Sequence, residues 1–411
     1  MPRLLQINVT CNWGSTGQIA ELCNQFAAKK DWEVFFAYGR YSNTSQSKLV
    51  NTSSRWDVYE HYVEKILFNN EGLASRKSTK RLIEEIKRIE PDIIHLHNIH
   101  DHWLNYSLLF EYLNQTVIKV VWTFHDFWAI TGKCGHFIYV DCEKYVSGCD
   151  DDCPYYRGHF LPIVKNVKKQ FELKKSLFVQ NNHLTIVPVS EWVAENVRKS
   201  FLSSKPIIVI QNGIDTKVFK PTPTSFLPKS QYEAFLKSVA EKFLIISVAS
   251  QWKYKKGLDD FKKLSEYLKE DELIALVGVD DKIIAELPNN IIGIKRTTNQ
   301  QELAALYTRA DVVCSLSSAE TFALTIAEGY ACGTPAVVYN NTALPSIVYP
   351  DTGFVVPDRD VFEAYTAIQK IRQVGKSFYK ERCVTIAQTL YDKNVCYNKY
   401  VELYDSLLKN E

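Results

Sequence analysis

Apolar residues follow two rhythms along this chain. Short runs rich in Val, Ile, Leu and Phe, at Leu4–Val9, Glu33–Tyr38, Asp92–Leu96, Val117–Trp122, Leu184–Val187 and Ile207–Ile210, read as buried strands. Between them, Gln18–Lys29, Lys80–Ile89, Leu161–Phe178 and Glu191–Ser200 repeat their apolar positions with a helical period. Strands that are apolar on both faces, alternating with amphipathic helices, predict a parallel sheet covered on both sides. The pattern stops at Lys220–Pro228, where three prolines in nine residues read as a connector, and then restarts. Strands are expected at Phe243–Val248, Leu273–Val277, Asn290–Ile294, Val312–Ser315 and Pro335–Val338, with helices at Gly257–Lys269, Gln300–Arg309 and Phe322–Ala331. The expected fold class is α/β, with two doubly wound, Rossmann-like domains over 1–219 and 220–391, facing a cleft where ligands meet the carboxyl ends of strands. The stretch 392–411 reads as a helix with no strand to follow, so it must pack on structure already built.

Composition narrows the function classes. Lys plus Arg number 49 against 47 Asp plus Glu, a balance that argues against a dedicated nucleic-acid binder. No apolar run approaches the roughly 20 residues of a membrane span. The opening Met-Pro-Arg leads straight into a strand without an apolar signal core, so a cytoplasmic location is expected. Chemistry-bearing residues are unevenly spread. All nine histidines lie between His61 and His183, and four of the ten cysteines lie between Cys134 and Cys153.

Five stretches carry candidate chemistry. Cys11–Gly17 joins the first strand to the first helix; its Gly14, Ser15, Thr16 and Gly17 offer close backbone approach and free helix N–H groups to an anion, though any strand-to-helix turn uses glycine. His95–His102, with His97, Asn98 and His100, continues a buried strand into a loop; substrate contact is favoured over metal ligation, and ordinary polar loop residues are the bland alternative. His125 ends another strand, where a histidine donates to a leaving phosphate or a sugar hydroxyl, or else is a satisfied core residue. Gln211–Asp215, an Asn-Gly turn before the connector, reads as a hinge. Glu320 and Glu328 bracket the start of a helix whose first turn, around Phe322, Ala323, Leu324 and Thr325, presents N–H groups suited to a diphosphate.

Taken in order, the GSTG turn, His125, the NGID at 212–215, Lys256-Gly257, and Glu320 and Glu328 followed by ACGTP resemble the retaining GT-B glycosyltransferases of family 4 over nearly the whole chain. The HLHNIH and HDFW stretches and the cysteine-rich loop are similar to the members that assemble capsule, exopolysaccharide or O-antigen. The resemblance implies an N-terminal acceptor-binding domain, a C-terminal donor-binding domain, and a final helix that returns to the first. It implies a nucleotide-sugar donor, such as a UDP- or GDP-sugar, and a glycan or lipid-linked acceptor. Glu328 would bind the ribose, Glu320 the transferred sugar, the N–H groups after Glu320 with Thr325 the diphosphate, and Lys256 the departing β-phosphate. Gly14–Gly17 would close over the phosphates and His125 would contact sugar and phosphate, with Ser250 and Lys253 also on the donor side. Same-face substitution of this type needs no enzymatic nucleophile, divalent metal or other cofactor. One departure stands out: 249–257 lacks the arginine the family usually places before Lys256, leaving Lys253 or Lys255 to supply a second charge without the bidentate fork.

Two further readings concern the surroundings of that site. Cys134, Cys142, Cys149 and Cys153 suggest a structural zinc site, with reduced thiols and disulfides as the alternatives. Lys165, Lys168, Lys169, Lys174 and Lys175 share a helical pattern with apolar residues that include Leu161 and Ile163. That pattern is either a solvated face or a surface for peripheral contact with anionic membrane. The alternatives to a transferase are a GT-B nucleotide-sugar epimerase and a non-catalytic subunit of a polysaccharide assembly complex.

Overall fold

The computed structural model describes residues 1–154, 164–222, 232–252 and 254–409. The readings made on Leu161, Ile163, Lys253 and connector residues 223–228 fall outside them. The chain divides into two units, Met1–Gln211 with Tyr397–Glu411, and Asn212–Cys396.

The first unit is built on six parallel strands: β1 (Arg3–Ile7), β2 (Glu33–Tyr38), β3 (Lys48–Asn51), β4 (Ile93–Leu96), β5 (Lys119–Phe124) and β6 (Leu184–Pro188). Their order is β3-β2-β1-β4-β5-β6. The winding therefore reverses between β1 and β4, which pair in register from Leu4↔Ile93 to Ile7↔Leu96. Loops leaving neighbouring strands on opposite sides of such a reversal diverge and leave a crevice at the strand ends. The second unit repeats the plan with β7 (Phe243–Val248), β8 (Glu272–Val277), β9 (Ile291–Ile294), β10 (Val312–Ser315), β11 (Ala336–Tyr339) and β12 (Gly353–Val356). Its order, β12-β11-β10-β7-β8-β9, puts the reversal between β7 and β10.

Central strands follow the apolar runs because both of their faces are covered. Differences collect at the edges. β3, Lys-Leu-Val-Asn, is short and largely open to solvent, and β12, Gly-Phe-Val-Val, is apolar but only four residues long and half-buried. Ile207–Ile210 runs beside β6 but bridges it only at Ile186↔Ile207, leaving Ile208 exposed. The helix expected over Leu161–Phe178 spans Val167–Gln180, and the one expected from Phe322 starts at Leu324.

The units change at Gln211 rather than at 219. Ile214 bridges Asp392, its N–H donates to the Tyr391 carbonyl at 2.8 Å, and Phe219 lies against Tyr307, so 212–219 belongs with the second unit. The last helix, Lys393–Lys409, changes unit at Tyr397. From there Tyr397, Tyr400, Val401, Leu403 and Tyr404 join Leu4, Cys23, Phe26, Ile93 and Val121 in the core of the first unit. Among the described residues no helix is long and apolar enough to cross a membrane.

Candidate functional site

In the first unit the candidate residues gather where β1, β4 and β5 end. His95 and His97 stand on one side of the extended chain, their ring centroids 4.1 Å apart. His95 is fully buried and occupied on both nitrogens, by the Tyr404 hydroxyl at 2.7 Å and the Thr123 hydroxyl at 2.8 Å. This makes it a core residue. His97 meets Gln6 Oε1 through Nε2 at 2.8 Å and His125 Nε2 through Nδ1 at 3.0 Å. A carbonyl oxygen only accepts, so His97 Nε2 carries the proton and Nδ1 is bare. His125 must then donate from Nε2, which leaves its Nδ1 with a lone pair. Burial favours the neutral rings this arrangement needs: it pushes His97 well below the usual histidine range and His125 down to about 4.

His100 belongs to a different pair. Burial opposes its charge, but Asp126 Oδ2 lies 2.9 Å from Nε2 and raises its pKa. Burial likewise lifts Asp126, and the facing imidazolium outweighs that and holds the carboxylate well below its ordinary range. Asp126 Oδ1 also accepts from the Trp128 N–H at 2.9 Å, so the pair fixes the loop beside His125. Asn98 is held through its backbone, its N–H to Asn8 Oδ1 at 3.0 Å and its carbonyl to the Val9 N–H at 3.1 Å.

The Gly14–Gly17 turn opens the helix Gly14–Ala28, whose N-terminus has no side-chain cap. A Cβ at position 17 would lie 2.8 Å from Thr10 Oγ1, so glycine is required for the helix to approach the strand end. Ser15 is exposed and Thr16 half-buried, beside the crevice between the loops after β1 and β4.

In the second unit, the loops on either side of the β7/β10 reversal bring together residues far apart in sequence. Lys256, from the loop after β7, pairs with Glu320, from the loop after β10, at 2.6 Å. Ser317 Oγ donates to the same Glu320 oxygen at 2.8 Å. Ser318 N–H donates to the Lys255 carbonyl at 3.0 Å, tying the loops together. Gly257 has φ +77°, and a Cβ there would sit 2.2 Å from the Leu316 carbonyl oxygen. Ser250 is exposed in the turn after β7, and Lys253 lies outside the described residues.

Ala323 adopts φ +69°, which is why the helix cannot start at Phe322 and begins at Leu324. Phe322 packs on Tyr391 instead, ring centroids 5.5 Å apart. Phe322 and Ala323 therefore lead into the helix, while the half-buried Leu324 and Thr325 form its uncapped first turn. One helical stretch further on, Glu328 accepts the Tyr307 hydroxyl at 3.1 Å, and burial pushes its carboxyl up to about 7.

Spacing alone did not reveal Gln6, Tyr307, Ser317 or Tyr404. Gln6 had a signal, being an amide set between Leu5 and Ile7 in a buried strand; Tyr404 lies 398 positions from it and had none.

Cys134, Cys142, Cys149 and Cys153 line one small cavity. The trios of potential ligand atoms within 4.8 Å of one another, among the described residues, are Cys23, His95 and His97, and Glu71, His100 and Asp101. Their histidines are already taken by Tyr404, Thr123, Gln6, His125 and Asp126. The membrane reading of the lysine-rich helix needs correcting at Lys174. That side chain is fully buried, with Nζ donating to the Trp128 and Thr131 carbonyls at 2.7 and 3.1 Å, so it forms no part of an exposed basic face.

Residues 14–218 match the family model described as Glycosyltransferase Family 4, and residues 228–377 match Glycosyl transferases group 1. Over 98% of its length the chain is 21% identical to all of a protein of Escherichia coli K12 named as a colanic acid biosynthesis glycosyl transferase, WcaC. The whole chain superposes on the whole of sucrose-phosphate synthase from Thermosynechococcus elongatus with a TM-score of 0.74 at 15% identity. Anabaena HepE, solved in complex with UDP-glucose, gives 0.64 at 14% identity, covering 98% of this chain and 99% of that one. These likenesses carry the GT-B fold of two Rossmann-like domains.

Proposed function

The chain belongs to glycosyltransferase family 4, and from that premise we propose that it moves a sugar from a nucleotide-sugar donor to a glycan or lipid-linked acceptor during surface polysaccharide assembly, with retention of configuration. The observation that carries this reading is the Lys256–Glu320 pair at the β7/β10 reversal, followed by the uncapped helix that leads to Glu328. A nucleotide sugar presents a diol, a diphosphate and a polyhydroxylated ring in one line. Glu328, the helix N–H groups with Thr325, and Glu320 match those groups in the same order along the chain.

In this reading the donor exchanges its own contacts for the resting ion pair. Lys256 turns from Glu320 to the β-phosphate and neutralises charge as the glycosidic bond breaks, while Glu320 takes the sugar hydroxyls. His125 accepts through Nδ1, a role its fixed tautomer suits. Polysaccharide assembly is supported by the WcaC likeness, and a UDP-sugar donor by HepE. Neither role assigned to Lys256 or Glu320 calls for a divalent metal.

The deciding experiment incubates the protein with UDP-glucose and GDP-mannose, among other nucleotide sugars, and follows the released sugar by proton NMR. Slow release of the donor's own anomer, lost in Glu320→Gln, is expected. Inversion at the anomeric carbon refutes the retaining mechanism, and epimerised sugar without release refutes the transferase.

Peripheral membrane contact finds its best support away from the lysine-rich helix. The helix Arg55–Phe68 buries only His61 and exposes Trp56, Tyr59, Tyr62 and Phe68, the kind of aromatic face that sits at a lipid interface. Co-sedimentation with phosphatidylglycerol vesicles should weaken in Trp56→Ser; equal recovery of both proteins argues against contact there.

A further inference from the structure

We propose that Cys134, Cys142, Cys149 and Cys153 bind one structural zinc ion, and that this ion braces the loop carrying His125 and Asp126. The inference goes beyond the transferase reading and does not depend on it.

The four thiols arrive from separate parts of one loop. Cys134 leaves the short helical turn Trp128–Ile130, Cys142 follows the turn Phe137–Val140, and Cys149 and Cys153 flank Asp150. All four line a single cavity of about 10 Å³, the size of one ion or one water. Its other walls are Phe137, Val140, Tyr145 and Val167 on the apolar side, with Thr131, Gly132, Lys133, Lys144 and Asp150 on the polar side. No disulfide joins the four cysteines, so cross-linking does not account for the clustering. Their sulfurs stand wider than the tight trios described above, and zinc would draw them in by a shift of the loop.

Two features of the surroundings suit a thiolate centre. The Gly132 N–H already donates to Cys149 Sγ at 3.2 Å, a bond that orients a sulfur and stabilises its anion. Four thiolates around one dication leave a net charge of two minus, and the buried Lys174 lies close enough to influence Cys134 and Cys149. That lysine is fully buried and donates only to the Trp128 and Thr131 carbonyls, which carry no net charge. On binding, four S–H protons leave to solvent as four Zn–S bonds form, and Lys174 becomes the charge partner.

The link to the catalytic loop runs through short contacts. Phe127 N–H donates to the Gly135 carbonyl at 2.8 Å, next to Cys134, and Thr131 Oγ1 donates to the Cys134 carbonyl at 2.6 Å. Lys174 holds the carbonyls of Trp128 and Thr131.

The test is metal analysis of the full-length protein purified without chelator. About one equivalent of zinc is expected, released with a chromogenic chelator as the four loop thiols become open to alkylation. Cys142→His, which still offers a zinc ligand, should retain the metal, whereas Cys142→Ser should bind it at least about tenfold more weakly. Because metal content is read directly, a poorly folding variant does not obscure the answer from the natural protein. Less than about a tenth of an equivalent, with the loop thiols alkylated at once or joined as disulfides in the intact mass, overturns the proposal.

Discussion

Glu328 offers the sharpest check on the donor site. Burial raises its carboxyl to about 7, with the Tyr307 hydroxyl pulling the other way by favouring the anion. Only the ionised form accepts hydrogen bonds from both hydroxyls of a ribose. With that pKa, about nine-tenths of the groups are protonated at pH 6 and about nine-tenths are ionised at pH 8, so donor affinity should improve about tenfold between the two. A carboxyl at its ordinary value would give almost no change. A nucleotide sugar is the right probe because its diphosphate, esterified at both ends, does not titrate in this range. Calorimetric titration with UDP-glucose and GDP-mannose at pH 6, 7 and 8 reads the effect on whichever binds. Glu328→Gln should bind weakly with a flat profile, and Tyr307→Phe should move the midpoint up by roughly one unit. Equal affinity at pH 6 and 8, or a Gln variant with the same slope, refutes the ribose assignment. The sign for folding is opposite. A carboxyl raised in the folded state contributes stability at acid pH that is lost as pH rises through about 7.

Three further outcomes follow from contacts described above. Gln6→Leu removes the acceptor that fixes His97, so nitrogen-15 NMR should show His125 as a mixture of tautomers and kcat should fall about tenfold with KM little changed; an unmixed tautomer counts against the relay. Gly257→Ala forces a Cβ to within 2.2 Å of the Leu316 carbonyl, and should lower the stability of the second unit by about 2 kcal/mol or more in urea unfolding, with no loss expected if the turn is relaxed. Lys376 caps the end of the helix Gln300–Arg309 by donating to the Thr308 and Ala310 carbonyls at 2.7 and 2.6 Å; Lys376→Met should cost about 2–3 kcal/mol in the same assay, and a change below about 0.5 kcal/mol would show the cap to be idle.

The alternation of strand and helix was legible because central parallel strands are apolar on both faces, and that pattern survives without any knowledge of neighbours. Two of the four edge strands, β3 and β12, were not legible. Lys48–Asn51 buries little and is polar at both ends, while Gly353–Val356 is apolar but only four residues long. The glutamates and Lys256 stood out through their spacing, but the ion pair between Lys256 and Glu320 depends on which strands adjoin, a property of topology. Lys174 was misread for an avoidable reason. It lies three residues after Phe171 and four before Phe178, and this periodicity puts it on the buried stripe, where charge alone suggested the surface. Ala323 escaped because nothing about an alanine announces a left-handed backbone.

The last helix sets an order of events for the growing chain. The first unit is interrupted: its sheet is complete once β6 has been made, yet Tyr404, which bonds His95, and Tyr400, which meets the Thr123 hydroxyl at 3.1 Å, are synthesised only after the entire second unit. During translation His95 on β4 therefore waits with one buried ring nitrogen unpaired, and Thr123 on β5 with only His95 as partner, while Asn212–Cys396, contiguous in sequence, has everything it needs to fold. A fragment that stops at Gln211 inherits that unfinished core, and one in which Tyr397–Lys409 is rejoined to it does not.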